Sequence, residues 1–88
     1  MKSTNSVDRI IQVSSSIKIG ENIKKLRLDK GYKQTEFVIK LQLIGIDMSI
    51  YSLNRIEKGT QNPTTDFLYA CCELLSCDMN TIFNFNEM

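Results

Sequence analysis

The chain has 88 residues, 42% hydrophobic and 24% charged, with no histidine or tryptophan and a net charge of +1. One small domain is expected, with little room for a deep catalytic cleft. No apolar run approaches the roughly 20 residues of a membrane span, and the polar stretch Met1–Ser6 lacks the apolar core of a secretory signal, so a cytoplasmic location is expected.

Residues 1–17 are rich in Ser, Thr and Asn, broken by Val7, Ile10, Ile11 and Val13; they are expected to form an N-terminal arm prone to disorder. From Lys18 an amphipathic pattern begins. Ile19, Ile23 and Leu26 recur at i, i+4 and i+7, predicting a helix over about 18–30. Ser15 or Ser16 would cap it, and Gly31 would end it. Lys24, Lys25, Arg27 and Lys30 crowd its later turns, where cations suit the helix dipole. A second helix is predicted from Gln34 to about Leu43, with Phe37, Val38, Leu41 and Ile44 as its apolar face. Gly45 and Asp47 interrupt the chain. Ser49 is a natural cap for a third helix, Ile50 to Lys58, which Gly59 ends. Its Leu53 and Ile56 are expected in the core. After a turn at Thr60–Pro63, Thr64 or Thr65 caps a fourth helix whose buried stripe is Phe67, Leu68, Cys71, Leu74 and Leu75. Asp78 caps a short last helix with Met79, Ile82 and Phe83. Residues 18–83 are thus expected to form an all-α domain of five short helices, followed by a tail at 84–88.

Three cysteines, Cys71, Cys72 and Cys77, are too few and too close for a disulfide framework. Without histidine, a zinc site would need carboxylates to complete it. The cysteines are read as small core hydrophobes. Redox sensing is the less favoured reading, because Glu73 and Asp78 nearby disfavour a reactive thiolate. Enzymatic function is not expected: the chain offers no glycine-rich phosphate loop and no nucleophile–base pair. No cofactor, metal or small-molecule ligand is expected.

The charge is unevenly distributed. All eleven Lys and Arg lie in residues 1–58, against six acids, whereas residues 59–88 hold four acids and no base. Such asymmetry suggests a face suited to a polyanion. The ordered series Ile19-Gly20-Glu21-Asn22-Ile23-Lys24-Lys25-Leu26-Arg27, Lys30-Gly31-Tyr32-Lys33-Gln34-Thr35-Glu36-Phe37, Ser49 to Asn54, Arg55-Ile56-Glu57-Lys58-Gly59 and Asn62-Pro63 resembles the Cro/phage-repressor (XRE) family. The resemblance covers about residues 18–83. It implies a five-helix, lambda-repressor-like DNA-binding domain with a central helix-turn-helix, the third helix entering the major groove. By position, Ile50, Tyr51, Asn54 and Arg55 would face bases. Gln34, Lys33, Ser49, Lys58, Thr60 and Asn62 would approach phosphates. Arg27 and Glu57 match a structural ion pair of the family. Asn suits adenine and Arg suits guanine, although Arg55 has a carboxylate as an alternative partner; Ile50 suits a thymine methyl or, alternatively, the core; Tyr51 suits a phosphate or a sugar.

The expected function is a sequence-specific double-stranded-DNA-binding transcriptional regulator, a repressor acting as a homodimer on a two-fold symmetric site. The acidic C-terminal part, with Phe83, Phe85 and Met88, is the first candidate for the dimer surface, and the Val7–Val13 segment the second. The alternative is a protein-interaction module of the same fold, an antitoxin or adaptor regulator, with DNA binding secondary. Three features depart from the family pattern. The link at Gln42–Asp47 is longer than usual, Lys33 stands where a Ser or Thr cap is common, and Ser76 stands where a glycine usually ends the fourth helix.

Overall fold

A computed structural model describes residues 13–84. Their regular elements are five helices: α1 (Val13–Asp29), α2 (Gln34–Leu43), α3 (Ile50–Lys58), α4 (Thr65–Leu75) and α5 (Met79–Asn84). α2, α3 and α4 have the bounds expected from the sequence. α1 does not: it begins at Val13, so Ser15 and Ser16 lie within the helix rather than capping it. The 1–17 arm is therefore corrected for residues 13–17. Once the packed part of a helix exists, each added residue contributes a hydrogen bond at small cost, and serine is only a mild helix disfavourer. The expectations for Val7, Ile10 and Ile11, and for Phe85 and Met88, fall outside the described residues.

Each helix contributes a narrow apolar stripe to one core. Ile19 and Ile23 come from α1; Phe37, Val38 and Leu41 from α2; Leu53 and Ile56 from α3; Phe67, Leu68, Cys71 and Leu75 from α4; and Ile82 from α5. Fully burying side chains of this size is worth about 1.5–3 kcal/mol each before ordering costs. Ile44 is an exception. It lies beyond the end of α2 and is exposed.

The first four helices end in the same way. After α1, Gly31 N–H donates to the Leu28 carbonyl and Tyr32 N–H to that of Arg27; Gly45 and Ile46 repeat the pattern on Gln42 and Leu41, and Gly59 and Thr60 repeat it on Ile56 and Arg55. After α4, Cys77 N–H closes on the Cys72 carbonyl. This is the Schellman closure, which needs one residue with positive φ. That residue is Gly31, Gly45 and Gly59 in the first three cases and Ser76, at φ 55°, in the fourth.

The long link between α2 and α3 follows from this closure. α2 stops at Leu43, so the extra residues belong to the turn and not to the helix. After the Gly45 closure, Ile46 packs against the core and Met48 is buried, while the Gln42 side chain donates to the Met48 carbonyl at 2.9 Å.

The most extensive contact of α1 is with α3. Gly20 is at the crossing. A Cβ at this position would collide with the main-chain carbonyl of Ile56 and press on that of Glu57. Two residues further on, Asn22 is fully buried and its Nδ2 donates to the Ile82 carbonyl at 2.6 Å, fastening α5 to α1. Nothing in the motif reading had given either residue a structural role. Gly20→Ala is expected to destabilise the fold by about 1–3 kcal/mol, lowering the thermal midpoint by about 4–8 °C per kcal/mol for a domain of this size. An unchanged melting curve would mean that α1 and α3 are not in close contact at this point.

Candidate nucleic-acid interface

α3 is sharply two-sided. Leu53, Ile56 and Glu57 are buried, while Ile50, Tyr51, Asn54, Arg55 and Lys58 occupy the opposite stripe at one-turn spacing. The helix starts at Ser49, whose Oγ accepts from the Ser52 N–H at 3.0 Å. At nine residues it is about 13 Å long, a size the DNA major groove accommodates. Ile50 is 45% exposed and Tyr51 69% exposed, so Ile50 does not take the core alternative.

Behind this face is the ion pair. Arg27 Nε and Nη2 donate to the two carboxylate oxygens of Glu57 at 2.7 and 3.0 Å, and the side chains retain only 5% and 2% of their exposure. The third arm, Nη1, donates to the Tyr32 carbonyl at 2.8 Å, tying the end of α1 to the turn before α2. There the Tyr32 ring stacks on Phe37 with centroids 6.0 Å apart, and the Lys40 ammonium lies 5.2 Å from the Tyr32 centroid. Glu57 is thus a structural anchor, with both carboxylate oxygens bonded to Arg27.

Gln34 bridges the buried pair to the exposed face. Its Nε2 donates to Glu57 Oε1 at 3.2 Å and, more weakly, to Asn54 Oδ1 at 3.4 Å. Both amide hydrogens therefore point at protein acceptors, and a phosphate contact from this side chain requires exchange of the longer bond. Lys33 has no side-chain acceptor to cap α2. Instead its backbone N–H donates to Glu36 Oε1 at 2.8 Å, and its side chain is exposed beside Gln34.

At the far end of α3, Thr60 donates to the Arg55 carbonyl through both its N–H (2.9 Å) and its Oγ1 (3.2 Å). Lys58 and Thr60 are exposed and Asn62 is half-buried. Among the described residues Arg55 pairs with the Tyr51 hydroxyl at 3.0 Å and with no carboxylate.

Cys71 and Cys72 are on α4, and Cys77 follows it. Cys71 is buried, and burial raises its thiol well above the ordinary value. Burial raises Cys72 and takes Cys77 to about 11, with Cys72 and Asp78 adding to the rise at Cys77 and Lys30 opposing it. These thiols are protonated at neutral pH. Among the described residues no group of three His, Cys, Asp or Glu is placed to hold a metal ion, and no helix is long and apolar enough to cross a membrane.

Removing one partner of the ion pair leaves a buried, unneutralised charge. Glu57→Ala is expected to cost about 3–5 kcal/mol in urea unfolding, whereas replacing Arg27 and Glu57 together by apolar residues of similar volume costs much less. A double-variant loss equal to the sum of the two single losses would show that the pair is not coupled.

Residues 22–87 match the family described as the Cro/C1-type HTH DNA-binding domain. No curated protein and no solved structure matches the chain. The match spans about three quarters of the chain and takes in α2, its turn, α3 and the buried Arg27–Glu57 pair behind them, so the chain belongs to the Cro/C1-type helix-turn-helix family of DNA-binding domains.

Proposed function

We propose that the chain is a sequence-specific regulator of transcription that inserts α3 into the DNA major groove. The observation that carries this reading is the outer stripe of α3: a helix anchored by buried Leu53, Ile56 and Glu57 presents Ile50, Tyr51, Asn54, Arg55 and Lys58 outward. An exposed isoleucine and a largely exposed tyrosine at the start of such a helix contribute little to this fold but suit base edges and sugars. In this reading Ile50, Asn54 and Arg55 face bases, with Tyr51 beside them on the same stripe. Lys33, Gln34, Ser49, Lys58, Thr60 and Asn62 border them and meet phosphates. The basic residues supply the sequence-independent part of the affinity by displacing counterions.

One α3 reads only a few base pairs. Two copies on half-sites about 34 Å apart would double the information read, so the reading includes a homodimer on a two-fold symmetric site.

A second reading, a protein-interaction module on the same fold, is supported by a different surface. Ile39 and Leu43 are 55% and 79% exposed one turn apart on α2, with exposed Ile44 next to Leu43. Selection from a random duplex DNA library separates the two readings. A recovered two-fold motif bound at about 10⁻⁸ M or tighter is the expected result; failure to enrich any sequence favours the interaction module.

Two variants test the assignments on the selected site. Asn54→Ala is expected to cost about 1–3 kcal/mol and relax preference at one base pair, and Lys58→Ala to weaken all duplexes alike while reducing the salt slope by about one. An unaltered base preference for Asn54→Ala, or a sequence-selective loss for Lys58→Ala, would reverse the corresponding role.

A further inference from the structure

Among the described residues Arg55 has no acid as a partner. Its Nη1 donates to Tyr51 Oη at 3.0 Å, and its guanidinium carbon lies 5.4 Å from the centroid of the same ring. That distance is within the range of a cation–π contact. The two residues are one turn apart on the outer stripe of α3, so the helix backbone fixes their separation. Arg55 Nε is buried and has no hydrogen-bond partner. The Nε edge of the guanidinium thus faces the protein, and the outer edge, formed by the two terminal nitrogens, is the one available to a partner. The residue's own carbonyl is held by two bonds from Thr60, which steadies the backbone beneath the side chain.

An outward fork of parallel N–H donors, charged and lacking a carboxylate, complements an acceptor pair. In the major groove guanine alone presents two adjacent acceptors, N7 and O6. An exposed arginine would have to give up rotamer freedom to meet them, and Tyr51 restrains that freedom in advance through the hydroxyl bond and the ring face. We propose that Arg55 reads a guanine through its terminal nitrogens and that Tyr51 is the positioning residue that holds it, acting through Arg55 and not on a base of its own. This deepens, and rests on, the reading of α3 as the base-facing helix.

The test uses the full chain and the duplex recovered by selection from a random library, with binding measured by titration for the wild type and for Arg55→Ala, Tyr51→Ala, Tyr51→Phe and the Tyr51→Ala/Arg55→Ala double variant. Because Tyr51 is largely exposed, its single variants are expected to melt like the wild type, and melting curves of the two variants lacking the half-buried Arg55 are recorded to check that they fold. Arg55→Ala is expected to reduce preference for guanine at one base pair by about 10- to 100-fold. Tyr51→Ala is expected to reduce it at the same pair by about 3- to 10-fold, and Tyr51→Phe, which keeps the ring, by about 2-fold. The double variant is expected to be no worse than Arg55→Ala alone, the signature of a residue acting through its partner. Replacing that guanine by 7-deazaguanine is expected to weaken the wild type about 10-fold and to leave Arg55→Ala unaffected.

Other results overturn the proposal. A uniform loss on all duplexes with Arg55→Ala would make Arg55 a phosphate contact. A change of preference at a different base pair with Tyr51→Ala would make Tyr51 a reader in its own right. Additive losses in the double variant would separate the two residues. In each of these cases a selected sequence still exists and the DNA-binding reading stands; if the wild type selects no sequence, both fail together.

Discussion

The crossing of α1 over α3 is the constraint from which the rest of the molecule follows. It has a steric part and an electrostatic part. At Gly20 the two backbones approach so closely that no side chain fits between them. At Arg27 and Glu57 the same two helices are joined by a two-armed ion pair shielded from water. Such a pair gains little net free energy over an apolar contact, because both charges must be desolvated. Its effect here is geometric: a planar fork meets a carboxylate in one register, so the rotation of α3 about its own axis is fixed. The stripe that faces outward is then determined by the stripe that is tied down.

The buried pair also reaches the surface. Glu57 shares one carboxylate oxygen with Gln34, and Gln34 in turn bonds to Asn54. The first residue of α2 and the middle of α3 are therefore linked through a charge the protein cannot leave unpaired. The Arg27 fork extends the network to the Tyr32 carbonyl, so one set of hydrogen bonds orients α1, the turn before α2 and α3 together. A ligand that draws on Gln34 draws on this network as well, which relates binding at the outer face to the firmness of the core.

Much of this was legible in the sequence, where the responsible physics is local. Three of the four positive-φ closures were marked by glycine, and the stripes of α2, α3 and α4 by their spacing. Ser49 and Thr64 marked helix starts because a hydroxyl can accept an amide proton there. Where the physics is tertiary, the sequence is mute. Gly20 and Asn22 owe their identities to the carbonyls of Ile56 and Ile82, far along the chain. Nothing near Val13 marks the start of α1. Ile50 was ambiguous because the same residue at a helix start faces inward or outward according to how the helix is rotated, and that rotation is set by Glu57. The Tyr51–Arg55 pair is an intermediate case: its spacing of four allows contact, but only a shared outward face brings it about.

The closure at Gly45 has a consequence for how the connection between α2 and α3 can vary. α2 is sealed by its own carbonyls and α3 is opened by its own serine, so neither helix borrows a hydrogen bond from the other's end. The angle of α3 is set chiefly at its crossing with α1, and the connector is held at Ile46, Met48 and the Gln42 side chain. Its exposed residues are where its length can change among related chains while α3 keeps its pose, whereas a single added methyl group at residue 20 would shift that pose at once. A sequence pattern that demands a fixed number of residues between the two helices is therefore stricter than the architecture itself.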